Sequence, residues 1–258
     1  MRRPDSFSAQ ALTAIEPLLA SLWILFLVWT ALLGTVWIAG IGPAEVEHWV
    51  HNPGLRAALQ AFIQFLDPVW IALASVQVYR QLIEAEGLNR ARRWALGAFI
   101  VAILIAWISV KTQFPLGPIH YTARLGKQLG PVPCALPLLC IAIVLSAREV
   151  ALWISPRAAH WQSALLAAVL TMLTVINLEP VASTLRSWWL WFPVTILTPS
   201  PPPMSNAATW LVVSFLGALL LRPRQSSGRS TLHPYRPLIV FGLLNGLCLL
   251  THFLRLAR

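Results

Sequence analysis

Two carboxylates in this sequence stand where carboxylates are costly. Asp67 lies midway through the apolar run FIQFLDPVW, with Gln64 and Gln60 one and two helical turns before it on roughly the same face. Glu179 lies near the end of another run, VINLEPVAS, beside Asn177. An ionisable group at membrane depth costs a few kcal/mol and marks either a functional site or a paired structural charge. Each acid precedes a proline, which removes one helical hydrogen bond and frees a carbonyl inside the bundle. A kink lined by an acid and loose carbonyls can hold water in a dry place. The alternative for each acid is an anchoring ion pair, with Arg186 or Arg56 as the available cation.

A third concentration of reactive types is the segment KTQFPLGPIHYTARLGKQLGPVP. It mixes Lys111, His120, Tyr121, Arg124 and Lys127 with Phe114, Leu116 and Ile119, and it is too long and too rich in Gly and Pro for a minimal connector. Loops of this kind carry function on a rigid scaffold, although a solvated turn with an aromatic belt would read the same way. His48 and His51, with Glu45 and Glu47, have the i,i+3 spacing of paired ligands, but no third or fourth ligand accompanies them, so no metal is expected. Trp188, Trp189 and Trp191 follow Glu179 closely enough to share a cavity with it, and His252 reads as a hydrogen-bonding group within the bundle.

The elements that position these groups are membrane helices. The 258 residues are 57% hydrophobic and 11% charged, which departs from soluble domains in the direction of a chain solvated by lipid. The fold class expected is all-α, a polytopic transmembrane helix bundle of about seven spans in one integral membrane domain. A crossing needs about 20 apolar residues. The candidates run from Leu18 to Ile41, Ala57 to Ile83, Trp94 to Val110, Val132 to Ile154, Trp161 to Val181, Ala207 to Leu221 and Pro237 to Leu256. The first exceeds a signal-peptide core in length and is kept as a mature helix. Residues 187–198, dense in Trp and followed by prolines, are too short to cross and read as an interfacial or re-entrant piece.

A net charge of +10 could suggest nucleic acid, but the bases sit in short clusters between apolar runs, so no nucleic-acid partner is expected. Arg80, Arg90, Arg92, Arg93, Arg222, Arg224, Arg229 and Arg236 place the N-terminus in the cytoplasm under the positive-inside rule, in a bacterial inner membrane. The 3 Cys (Cys134, Cys140, Cys248) form no CxxC pair. Assembly of copies into a homo-oligomer is left open.

Two stretches carry a resemblance. FPLGPIHYTARLGKQLGPVPCALPL, and LEPVASTLRSWWLW with PMSNAATW, are similar in order and spacing to motifs of the membrane-bound carotenoid biosynthesis family, the CruF-type carotenoid hydratases. The resemblance covers about a third of the chain and singles out Phe114, Pro115, Gly117, Tyr121, Thr122, Leu125, Gly126, Val132, Pro133, Pro137, Glu179, Pro180, Ala182, Trp189, Trp191, Asn206 and Trp210. The chain departs from the pattern at Ile119, Cys140 and Thr209, in the proline run, and at Ala106 and Ser109, where an acid and a Gly would stand.

The resemblance implies hydration of the terminal double bond of a linear carotenoid to a tertiary alcohol, without cofactor or metal. Such an alkene must be protonated, the tertiary cation held, and water added. A carboxyl removed from water favours its proton-bearing form and can act as general acid. Glu179 fits by motif and place, with Asp67 as second acid and Tyr121 as a further catalytic candidate. Aromatic faces stabilise a cation by roughly 0.5–2 kcal/mol each, a role open to Trp189, Trp191 and Tyr121. The substrate-binding candidates are Phe114, Pro115, Gly117, His120, Thr122, Arg124, Trp189, Trp191, Asn206 and Trp210, around a carotenoid or other long apolar lipid drawn from the bilayer. The rivals are a bundle that binds carotenoid or lipid without converting it, and a small proton-coupled transporter.

Overall fold

The computed structural model describes residues 6–192, 201–221 and 235–256. The motif residues 193–200 and the arginines at 222, 224 and 229 lie outside them. The described chain is an all-α bundle with a thin layer of short strands at one end. Its helices are α1 (Ser6–Ala39), α2 (Pro43–Trp49), α3 (Pro53–Glu86), α4 (Leu88–Thr112), α5 (Ala135–Ile154), α6 (His160–Glu179), α7 (Met204–Leu219) and α8 (Arg236–Leu256).

Six helical stretches are long and apolar enough to cross a membrane: Ala20–Ala39, Pro53–Glu86, Leu88–Thr112, Ala135–Ile154, His160–Leu185 and Arg236–Leu254. The expected seventh span is a shorter apolar helix, α7, of 16 residues. Its rise of about 24 Å falls short of the roughly 30 Å hydrocarbon core. Pro201, Pro202 and Pro203 keep its first turn from extending, with Pro203 already in an extended conformation at the N-cap.

Other boundaries follow local chemistry. Asn52 caps α3 by accepting from the backbone N–H of Gly54 and Leu55, with Pro53 at the first helical position. Gly87, at φ +83°, separates α3 from α4 in a conformation that costs a side chain but not glycine. The span expected from Val132 begins instead at Ala135. Val132–Pro133 forms strand β3, paired antiparallel with β2 (Gln128–Leu129) across the positive-φ turn at Gly130.

α5 is the most enclosed helix and packs against α3, α4, α6, α7 and α8. The core runs from Phe26, Leu33 and Trp37 of α1 through Leu66, Trp70 and Ile71 of α3 to Leu139 and Ile143 of α5. α6 does not stop at Pro180. It widens into a π-helical turn over Pro180–Leu185, with the N–H of Arg186 donating to Val181 O at 2.8 Å. Such widened turns occur mostly at functional sites.

β1 (Ile119–Tyr121) and β4 (Trp189–Trp191) pair antiparallel, with Ile119 opposite Trp191 and Tyr121 opposite Trp189. The reactive loop and the Trp-dense segment are therefore one structural layer, folded back onto the bundle.

Candidate functional site

Alternation along β4 sorts its aromatic side chains. Trp189 and Trp191 face inward and are buried with Ile119 and Tyr121 of β1, while His120 points outward and meets Phe192 edge-on. The register is pinned beyond the strands: the Thr122 N–H donates to Trp188 O at 3.0 Å and the Phe192 N–H to Pro118 O at 2.9 Å. The Thr122 hydroxyl adds a bond to Ser187 O.

Both buried acids are gripped by indoles, and they differ in one respect. Asp67 Oδ1 accepts from Trp37 Nε1 at 3.0 Å, and Oδ2 accepts from Trp188 Nε1 at 2.9 Å and Arg186 Nε at 2.8 Å. Its charge is matched by a guanidinium, with Asp67 1% and Arg186 8% exposed. Glu179 Oε1 accepts from Trp189 Nε1 at 2.8 Å and from Trp191 Nε1. Its Oε2 is buried with no hydrogen-bond partner, and no cation lies within ion-pair distance of it among the described residues. Three successive tryptophans on one short segment thus serve two carboxyls, of which one is neutralised and the other is not.

Beside this layer lies a cavity of about 560 Å³, flanked by α4 and α7 and backed by α5. Its walls are almost wholly apolar, including Ala98, Ile105, Ala106, Ile141 and Val213. Its floor is the strand layer, through Ile119, Tyr121, Trp189 and Trp191. At the far end Trp94 Nε1 donates to Gly217 O at 2.8 Å and Arg90 Nη2 to Leu220 O at 3.1 Å, tying α4 to α7. The lining runs along α4 from Arg93 to Ala106, 13 steps and about 20 Å of rise. This is a long slot suited to a chain.

The sequence candidates fall into distinct places. Tyr121, Trp189, Trp191, Asn206 and Trp210 line the cavity. Glu179 stands behind the floor, reaching it through the two indoles it holds. Asp67 belongs to the ion pair and does not line the cavity. Pro115 accepts the Thr209 hydroxyl through its carbonyl at 3.2 Å, and Gly117, at φ +109°, packs so close to Pro203 that no side chain would fit. Phe114, His120 and Arg124 are exposed on the layer, and Thr122 holds the two strands together.

Tyr121 adds a phenol to the floor, its ring edge-on to Trp189 at 6.4 Å. Burial, then the neighbouring Cys140 thiol and Glu179 carboxyl, hold its phenol protonated far above its ordinary range. Among the described residues, no group of three or more His, Cys, Asp or Glu could hold a metal ion.

Sequence reasoning missed the α4 wall. The signals were Gly97 and Gly217 inside apolar runs: a side chain on Gly97 would meet open space, and the Gly217 carbonyl accepts from Trp94 Nε1. Two departures from the family pattern, Ala106 and Cys140, also line this cavity, so the place where an acid was expected is apolar.

Residues 66–252, well over half of the chain and spanning the cavity, the strand layer and both buried acids, match the family model described as carotenoid biosynthesis protein. No curated protein and no solved structure matches the chain.

Proposed function

The chain belongs to the carotenoid biosynthesis protein family, and from that premise we propose that it hydrates the terminal double bond of a linear carotenoid end group. A role in carotenoid biosynthesis follows from the family, and an apolar slot within a helix bundle suits a lipid-type substrate taken from the membrane. The observation that carries the finer reading is the contrast between the acids. Asp67 is matched by Arg186, whereas Glu179 keeps an oxygen beside the cavity floor that has neither a hydrogen-bond partner nor a counter-cation among the described residues.

In this mechanism the polyene lies along α4 and α7 with its end group on Tyr121, Trp189 and Trp191. Glu179 supplies a proton by way of the Tyr121 hydroxyl, which passes on one proton as it receives another. The proton adds to the less substituted alkene carbon and leaves a tertiary cation facing the indole and phenol rings, each worth roughly 0.5–2 kcal/mol to a cation. Water adds to the cationic carbon, and its surplus proton returns to the carboxylate. The sum is alkene plus water to tertiary alcohol, with the catalyst restored. Asp67 acts through position: it fixes Trp188, and with it the strand that presents Trp189 and Trp191. The arginine distribution supports an N-terminus on the cytoplasmic side of a bacterial inner membrane.

Expression in a carotenoid-producing host tests the reading. Hydroxylated end groups should appear with the wild-type chain and disappear with Glu179→Gln. Wild type that leaves the pigments unchanged would refute the activity. Ala106 and Cys140 in the cavity favour a second reading, pigment held without conversion, and pigment that co-purifies unaltered would select it.

A further inference from the structure

Thirteen residues beyond Asp67 along α3, about 20 Å of rise, a second polar cluster joins α1, α3 and α8. The Arg236 guanidinium lies over the Trp23 ring at 5.1 Å and donates from Nη1 to Gln77 Oε1 at 3.3 Å. Arg80 Nε pairs with Glu84 Oε1 at 3.1 Å, and Arg80 follows Gln77 by three residues, on the same face of α3 that Arg236 meets. Arg236 is only 4% exposed. Within this one cluster Arg236 Nε, Arg80 Nη1 and Glu84 Oε2 are all buried without a hydrogen-bond partner among the described residues.

Buried charged atoms left unpaired cost more than neutral ones, and several together in a native fold call for a missing partner. Two guanidinium donors left over on one face of the bundle ask for an oxyanion. The adjacent orphaned carboxylate oxygen asks for a donor. We propose that this cluster binds a phospholipid headgroup, its phosphate diester bridging Arg80 and Arg236 and its amine or hydroxyl donating to Glu84 Oε2. The position supports a lipid source: Arg236 is the first residue of α8 and Arg80 lies in the last two turns of α3, the level at which basic pockets between membrane helices meet headgroups. The site is separate from the cavity and stands whether or not the hydration reading does.

The test is thermal unfolding of the detergent-purified full chain with added phosphatidylethanolamine, phosphatidylglycerol, phosphatidylcholine or inorganic phosphate. The first two should raise Tm. Phosphatidylcholine, whose quaternary ammonium has no N–H, should raise it less, and inorganic phosphate should not. Arg236→Gln should raise the lipid concentration needed for a given rise in Tm roughly tenfold, the size of one charge-assisted hydrogen bond. Gln77→Glu, which brings a carboxylate of the chain's own to Arg236, should raise Tm without lipid and abolish the response to it. Equal stabilisation by phosphatidylcholine or inorganic phosphate would overturn the proposal, as would a wild-type lipid response in Gln77→Glu.

Discussion

Asp67→Asn tests the proposed division between an acid that positions, Asp67, and an acid that reacts, Glu179. The wild-type carboxylate accepts three hydrogen bonds, two of them on Oδ2 from Trp188 and Arg186. An asparagine has one acceptor oxygen. Whichever way its amide is turned, its NH₂ faces at least one N–H donor, and the Arg186 charge, 8% exposed, loses its counter-ion. Breaking a buried ion pair by neutralising one partner costs about 3–5 kcal/mol. At 2–4 °C per kcal/mol for a chain of this size, that is a fall in Tm of roughly 6–20 °C. The measurement is unfolding of the detergent-purified protein, followed by loss of the native Trp emission, for Asp67→Asn, Arg186→Met and the double variant. Removing both charges leaves no stranded ion, so the double should cost well below the sum of the singles. Carotenoid conversion per folded molecule should survive in part, since Glu179 is untouched. An Asp67→Asn protein within about 0.5 kcal/mol of wild type that has lost all conversion would refute the structural assignment and return Asp67 to the chemistry. Additive single effects would show that the pair is not coupled.

Glu179→Gln should behave in the opposite way: the amide oxygen still accepts both indoles and no cation is stranded, so Tm should move little while end-group conversion ceases. Trp191→Phe removes one indole donor from Glu179 and should cost about 0.6–1.7 kcal/mol, the range of side-chain hydrogen bonds in membrane bundles, measured by the same unfolding assay. Gly97→Phe projects a ring into open cavity space, so pigment retention on purification should be lost with Tm unchanged. Gly117→Ala meets both a positive φ and the Pro203 ring, and should lower stability by at least about 1 kcal/mol, read as reduced Tm and a weakened strand layer.

The helices were legible because an apolar run of crossing length has few other uses, and the main misreadings were at ends where prolines decide. The seventh span came out short for that reason. Val132–Pro133 left the helix because a chain turning at Gly130 pairs with Gln128–Leu129 instead. Strands of two or three residues carry no readable alternation, so β1 and β4 were visible only as an odd loop and a Trp-rich segment. Most of the α4 wall went unseen because Gly97, Ala98 and Ile105 are ordinary membrane residues until α7 is placed opposite them.

By itself, the sequence determined that the chain lives in lipid, that Asp67 and Glu179 are the acids to explain, and that the loop and the WWLW segment matter together. Those conclusions rest on transfer energies and residue types, which are local properties. Only the tertiary structure decided between the acids. Arg186 is 119 positions from Asp67 and no spacing rule joins them, yet folding brings them to 2.8 Å and gives Glu179 two indoles but no cation among the described residues. Two carboxyls in similar proline-flanked runs acquire different surroundings because the counter-charge is delivered by packing and not by neighbours in the chain.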